Sequence, residues 1–434
     1  MRRFFQRSRA CVNLRSFVAV SIALLVALGV PAQAQVESRT QQLEVIRKDK
    51  VARLWPESQS HIVNIANNMT ERGMLSGERS AFSGQLSGAD GFQPVIFGGT
   101  RPGNGFSYGV GYQRRDLWRD RIAFRLTGCA TTKKGFAFDF TGELPKALGR
   151  RGFLRYYTKY ENSPQMDYYG PGPNSSKADR SSYLLEDTDV RFSAGYRFTR
   201  NFAAAVDIGA YFVNVGPGQR NGVPTTQEEF TPAEAPGVNR QTNYFRWGAT
   251  ARFDNRDDLI RPTHGGDYIA RFTQYSDRSL RENGFIRLVG AAEHFLSYYN
   301  GGRVLAMRLE GQMAFVDREH GQSVPFYLQP TLGGNYRLRG FNNYRFTDAT
   351  SILAIVEHRW YVAQPIDFAL FGETGKVAAL NSGLNFQDLR WSGGLSVRFH
   401  LFDTLFMRWD NAVSNEGYRM IFAFSDVFGR EERW

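Results

Sequence analysis

Hydrophobic and polar residues alternate along most of the chain beyond about Phe92. Because successive side chains of a β-strand point to opposite faces of a sheet, this period of two predicts strands with one apolar and one polar face. In residues 395–401, for example, leucine, valine and phenylalanine alternate with serine, arginine and histidine. About 15 candidate strands follow this pattern, including residues 136–141, 267–272, 305–310 and 405–410.

The polar faces of these strands often carry full charges, which distinguishes two all-β classes. In a soluble sandwich the polar face meets bulk water, whereas in a membrane barrel the apolar face meets lipid and the polar face lines a lumen. Long strands and long Gly/Pro/Asn-rich loops favour the barrel, as do aromatic pairs near strand ends, where the girdles at the membrane interfaces belong (156–157, 168–169 and 298–299). We predict an all-β, transmembrane antiparallel β-barrel of about 16 strands, because an even number is usual. The strand missing from the count is expected at residues 92–98.

The last candidate strand is aromatic. Tyr418, Met420, Phe422 and Phe424 alternate with other residues, and the phase ends near Phe428. A terminal aromatic strand is typical of the insertion signal of outer-membrane barrels. Six residues, 429–434, extend beyond Phe428 and leave the register of that signal open.

The N-terminal part of the chain has a different pattern. Residues 1–34 are typical of a secretory signal peptide, with basic residues, an apolar stretch at 17–30 and the sequence Ala-Gln-Ala before a cleavage point. Residues 35–91 are predicted to form a short periplasmic helical segment and a Gly/Ser-rich linker, because apolar residues recur at helical spacing in 62–69. The barrel is predicted over residues 92–434.

Composition and charge narrow the possible partners. The mean hydropathy of −0.41 is too low for a bundle of membrane-spanning helices. A barrel can have so low a mean, because its apolar lipid-facing residues are averaged with the charged residues of its lumen. Removal of the five signal-peptide arginines lowers the formal net charge from +12 to +7, and the basic residues are scattered, so no nucleic-acid partner is predicted. Cys11 leaves with the signal peptide, so Cys129 has no internal disulfide partner.

An ordered set of short motifs carries the most specific information. The sequence LGGNYRLRGF occupies residues 332–341 in a long segment between strands. Before it come FDNRD at 253–257, Pro262 and a glycine pair at 265–266. After it come Glu-His-Arg at 357–359, FGETG at 371–375, WSGGL at 391–395 and RWD at 408–410.

This set resembles the BamA/TamA superfamily of outer-membrane barrels, also called the bacterial surface antigen family. Residues 338–341 are similar to its [VIL]RG[FY] loop motif, and 371–375 are similar to its FxDxG strand motif. Glu373 stands where the family usually has aspartate. The YYGPG sequence at 168–172 also resembles early strands of members without POTRA domains. The resemblance covers roughly residues 92–434.

The resemblance implies a lock inside the barrel. The loop motif consists of Leu338, Arg339, Gly340 and Phe341, and the strand motif contributes Phe371 and Gly375. Arg339 would pair with Glu373, with Glu357 as second partner, and so order the loop in the lumen. Independently, an arginine can bind a carboxylate through a fork of donors, and glycine permits a tight loop tip. The alternative is a solvated arginine beside a turn.

The family usually has periplasmic POTRA domains before the barrel, but residues 35–91 are too short for one. We therefore expect a POTRA-less member that inserts or translocates protein or lipid at the outer membrane, without catalysis and without cofactor or metal. Expected partners are outer-membrane lipid, a client or periplasmic partner protein, and the barrel assembly machinery for its own insertion.

Two other functions are considered. One is a passive outer-membrane pore for small solutes. The other is an outer-membrane enzyme built on His294, with Glu293 and Ser297 nearby in sequence. These three residues fall on mixed faces of one strand, which argues against a catalytic group.

Overall fold

A computed structural model describes the chain from residue 90 onwards, as residues 90–96, 100–118, 121–149, 151–258, 261–298, 302–316, 322–363, 366–379, 383–401, 404–424 and 426–428. The chain divides into two units, Met1–Glu57 and Ser58–Trp434, and all described residues belong to the second. The predicted signal peptide and almost all of the predicted helical segment and linker lie outside the described residues. The described part contains no helix long and apolar enough to span a membrane.

Within the described residues, one antiparallel sheet of 16 strands dominates, and its strands pair in sequence order. The expected strand at 92–98 is present as β1. The sheet contains β1 (Gly91–Ile96), β2 (Ser107–Leu117), β3 (Ile122–Thr131), β4 (Phe136–Leu144), β5 (Gly152–Tyr168), β6 (Ser181–Arg197), β7 (Phe202–Pro217), β8 (Tyr244–Asp254), β9 (Gly265–Asp277), β10 (Phe285–Tyr298), β11 (Arg303–Val316), β14 (Thr350–Ala363), β15 (Ile366–Ala378), β16 (Arg390–Leu401), β17 (Thr404–Ser414) and β18 (Gly417–Ala423).

The segment between β11 and β14 contains a small hairpin of its own. In it, β12 (Thr331–Leu332) pairs with β13 (Phe346–Thr347), and the loop between them carries residues 338–341. A 3-10 turn, Phe326–Leu328, precedes the hairpin. A single-turn helix, α1 (Thr226–Glu229), lies in the long loop between β7 and β8.

The two faces of the sheet differ in chemistry, as the alternation predicts. On β16, the side chain of Leu395 is 57% exposed on the outer face, whereas Arg398 on the inner face is 2% exposed. On the inner face of β14 and β15, Glu357 pairs opposite Phe371 and Ile355 opposite Glu373. A sheet with an apolar outer face and a charged inner face suits a lipid environment.

Contacts between distant strands show that the sheet curls on itself. Arg261, in the turn after β8, contacts Asp367 on β15 at 2.9 Å. Lys177, in the loop after β5, donates a hydrogen bond to the Glu416 carbonyl in the turn before β18. The enclosed space is called the lumen below. Among the residues that the structure describes, no backbone pairing joins β1 to β18.

A cluster of buried aromatic and aliphatic residues, the lid cluster, lies at the end of the sheet that carries the long loops. Its members come from β5 to β11 and from the loops above them, and include Tyr168, Tyr183, Tyr211, Val238, Tyr244, Tyr275, Phe285, Val324 and Phe326. The prediction of an interfacial aromatic pair at 168–169 is wrong, because the Tyr168 ring packs 5.0 Å from Phe326 and Tyr169 is equally buried. A bulge in β5 between Ser163 and Met166 changes the pairing register just before these tyrosines.

The prediction that the last strand continues to near Phe428 is also wrong. β18 ends at Ala423, and residues 426–428 lie in the lumen, away from β18. The carboxylate of Asp426 contacts two buried arginines there, and the Phe428 ring packs against Phe295 of β10. Lumenal ion pairs and apolar burial hold this segment instead of strand pairing.

Candidate functional site

The predicted loop motif forms a tight turn at the tip of the segment between β12 and β13. The amide of Phe341 donates a hydrogen bond to the Leu338 carbonyl, and Gly334 donates to the Phe341 carbonyl. Leu338 has a φ of 51°, in the left-handed region that non-glycine residues rarely adopt. Its side chain is completely buried beside Leu332, which offsets the cost of this backbone conformation.

Arg339 extends from this tip to the inner wall of the sheet. Its Nε lies 2.6 Å from Glu373 Oε1, and its backbone amide donates to Glu373 Oε2 at 2.5 Å. Its Nη2 lies 2.8 Å from Glu357 Oε1, and its Nη1 lies 3.6 Å from Asp410 Oδ2. The guanidinium also stacks on Phe371, 3.4 Å from the ring centre. The structure thus brings together Arg339, Glu373, Glu357 and Phe371, and adds Asp410.

Electrostatics keep the arginine charged in this buried position. Burial alone would lower the pKa of Arg339, but Glu373, Glu357 and Asp410 raise it well above its usual range. Arg359 contacts Glu357 at 2.9 Å and Arg408 contacts Asp410 at 3.3 Å, so the carboxylates are shared among several cations. The removal of one member would therefore leave buried charge without its partner.

The two glycines of the motifs stand where backbones approach closely. A Cβ on Gly340 would lie 2.8 Å from Ser414 Cβ and 2.9 Å from Ser392 Cβ. Ser414 Oγ also donates to the Gly340 carbonyl at 2.9 Å. A Cβ on Gly375 would lie 2.7 Å from the Ile352 carbonyl oxygen. The neighbouring Phe341 is buried, with its ring 5.0 Å from that of Phe346.

Arg419 is a contact of the loop tip that sequence reasoning missed. It lies on β18, and its Nη1 donates to the carbonyls of Arg339 at 3.2 Å and Phe341 at 2.8 Å. Its Nη2 donates to Asn335 Oδ1 at 2.9 Å. Its position in the alternating pattern could have identified it. Arg419 falls between the apolar Tyr418 and Met420 and therefore on the inner face.

The residues considered for an enzyme are not assembled. Glu293 faces the lumen and contacts Arg308 at 2.9 Å, whereas His294 hydrogen-bonds to Tyr268. Ser297 instead lies 2.7 Å from His264 Nε2, at an exposed rim. Within the described ranges, no group of three or more His, Cys, Asp and Glu side chains is arranged to hold a metal ion.

Taken with the comparisons, the charged inner face, the apolar outer face and the buried loop tip define an integral β-barrel of the bacterial outer membrane. A sequence model of the Omp85 superfamily domain matches residues 119–408. The chain belongs to the Omp85 superfamily, which confirms the resemblance to BamA/TamA-type barrels. The part of the chain that the structure describes contains the barrel strands and no POTRA domain.

Two solved structures illustrate the shared fold. One is BamA from Haemophilus ducreyi lacking POTRA domains 1–3, with a TM-score of 0.57, 13% identity, and coverage of 82% of this chain and 77% of that one. The other is CdiB from Escherichia coli, with a TM-score of 0.51, 9% identity, and coverage of 76% of this chain and 60% of that one. At these identities the likeness concerns the fold. No curated protein sequence gives a significant match.

Proposed function

We propose that this protein inserts or translocates client proteins at the outer membrane, as a BamA/TamA-type barrel without a catalytic step. The observation that carries the proposal is the completely buried Arg339, which joins the loop tip to carboxylates on β14, β15 and β17. A buried ion-pair network is a weak source of stability, but it can fix one conformation against its alternatives. Residues 338–341 would act as a lumenal lock.

The loop tip is also tied to the last strands of the sheet. Ser414 on β17 and Arg419 on β18 both donate hydrogen bonds to its carbonyls. We propose that the 16 strands close through β1 and β18, and that this seam admits clients. The two edge strands are short, and unpaired strand edges can template another chain. Through Arg419, the position of β18 would depend on the seating of the loop tip.

The predicted domain organisation leaves capture of the client protein to the region before the barrel or to a separate protein. We propose that residues 1–34 direct export, and that residues 35–91 or a separate periplasmic protein deliver the client. Lipid remains a second class of client. A passive solute pore is the alternative, but the lid cluster and the loop tip both occupy lumenal space, which supports a gated lumen.

Reconstitution tests the proposal. The purified protein would be placed in phospholipid vesicles, and an unfolded eight-stranded outer-membrane barrel would be added as the probe client. We expect wild type to accelerate folding of the probe, measured by its heat-modifiable band, and Arg339→Ala to fold it no faster than empty vesicles do. Arg240→Ala, which removes an exposed arginine, is the control. Wild type that performs like empty vesicles would contradict the proposal.

A further inference from the structure

The segment after β18 reaches a distant part of the inner wall. In the order of the sheet, five strands separate β18 from β10, yet the Phe428 ring lies 5.6 Å from that of Phe295 on β10. Phe428 and Val427 are both buried, at 6% and 0% exposure. Residues 426–428 form no strand pairs, so contacts with side chains of the wall hold them.

Each residue of the segment meets a matching group, and these groups form what we call the cradle: Phe295, Arg308, Arg359 and Arg398. The Asp426 carboxylate lies 3.2 Å from Arg359 Nη2 and 3.5 Å from Arg398 Nη1. Arg308 Nη1 donates to the Val427 carbonyl at 3.3 Å. The Phe428 ring packs against Phe295 and against the Arg359 guanidinium, which lies 4.7 Å from the centre of the Phe428 ring.

Arg308 and Arg359 of the cradle also have partners on the barrel wall, apart from the segment. Phe295, Arg308 and Arg359 lie on three adjacent strands, and all are at most 5% exposed. Arg308 is held by Glu293 at 2.9 Å and by Glu310 at 2.5 Å. Rigid groups that recognise a carboxylate, a backbone carbonyl and an aromatic ring in order are the elements of a peptide-binding site.

The cradle shares a residue with the arginine lock. Glu357 places one oxygen 2.8 Å from Arg339 and the other 2.9 Å from Arg359, which in turn contacts Asp426. Arg359 therefore divides its donors between Glu357 and Asp426. If Asp426 leaves, Arg359 can pair fully with Glu357 and compete with Arg339 for that carboxylate.

We propose that the cradle is a peptide-binding site for an extended segment with the order acidic, apolar, aromatic. Residues 426–428 of the chain itself are its resting occupant, and a client segment of the same chemistry displaces them. An empty cradle weakens the hold of Glu357 on Arg339 and loosens the loop tip, and an acidic occupant of either origin restores that hold. This inference goes beyond the proposed function, since binding of a peptide in the lumen requires no insertion activity.

A competition experiment in detergent micelles tests the site. The receptor is the full chain with Asp426→Ala and Phe428→Ala, which empties the cradle and leaves its walls intact. The probe is a fluorescein-labelled peptide with the sequence of residues 424–428, FSDVF, followed by fluorescence anisotropy. We expect it to bind the double variant about tenfold or more tightly than wild type, and a peptide with asparagine in place of aspartate to bind about tenfold more weakly.

Further variants separate recognition from nonspecific adsorption. In the double-variant background, Arg359→Gln and Arg398→Gln should each weaken peptide binding, whereas Met420→Leu on the outer face of β18 should not. The segment is changed at two positions (426 and 428) and the cradle at two others (359 and 398), so the test still works if one variant fails to fold. Heat-modifiable migration on a gel shows whether each variant is folded. Equal binding to wild type and the double variant, no binding to either, or binding unaffected by both arginine variants would overturn the proposal.

The coupling to the lock has its own readout. Trypsin cleaves after arginine, and the loop between β12 and β13 contains Arg337, Arg339 and Arg345. The double variant should be cut faster there than wild type, and the FSDVF peptide should restore protection. Unchanged cleavage would overturn the coupling, and the insertion assay above is independent of both results.

Discussion

At the residue scale, the buried contacts of Arg339 depend on how one carboxylate is shared. Glu373 accepts the Arg339 side chain with one oxygen and the Arg339 backbone amide with the other, and Ser392 also donates to it at 2.7 Å. This arrangement uses both oxygens as acceptors. The family pattern has aspartate at this position. Glu373 keeps the carboxylate acceptor and holds it one methylene group farther from the backbone.

Replacement of this carboxylate by an amide should be costly. In Glu373→Gln, the side-chain NH2 group faces a donor of Arg339 or Ser392, and a buried positive charge loses a partner. We expect the free energy of unfolding in guanidinium to fall by about 2–4 kcal/mol. Glu373→Asp keeps the charge and should lose less. Glu282→Gln at an exposed ion pair is the control, and equal effects at positions 373 and 282 would show that the contacts of Glu373 are not stabilising.

At the element scale, the sequence predicted what depends on local alternation. Charged and apolar residues of β16 fall on the faces that the period of two assigns to them, with Arg398 buried on the inner face and Leu395 exposed on the outer face. The position of residues 426–428 could not be predicted, because Arg359 and Arg398 lie on strands that are distant in sequence. The contact of Arg419 with the loop tip depends on the same long-range geometry.

Seating of the loop tip should be sensitive to one methyl group. In Gly340→Ala, the added Cβ would meet Cβ atoms of Ser414 and Ser392 at less than 3.0 Å, so the tip must move away from β16 and β17. We expect faster tryptic cleavage in the loop between β12 and β13. Gly372→Ala on β15 is the matched control, because its Cβ would meet nothing within 4 Å. Equal protection of both variants would show that close approach at Gly340 is not required.

At the scale of the whole molecule, the lid cluster and the loop tip both occupy space in the lumen. The lid cluster packs on the inner face of β5 to β11 at one end of the sheet, and the polar contacts of the loop tip reach β14 to β18. The alternation predicted a charged inner face and the family resemblance predicted the contact of Arg339 with Glu373, but neither predicted the lid. Its members come from seven strands and three loops, and alternation alone does not show whether an aromatic residue near a strand end meets lipid or another loop.

Planar-bilayer conductance tests this occupancy of the lumen. We expect wild type to conduct little, because the lid cluster and the loop tip both occupy lumenal space. Arg339→Ala should release the loop tip and Phe326→Ala should loosen the lid, so each should raise conductance. If the lid and the loop tip close separate paths, the double variant should conduct about as much as the two increments together. Leu395→Ala on the lipid face is the control. Large, steady conductance of wild type would favour the passive pore, and a double variant far above the sum would indicate barriers in series.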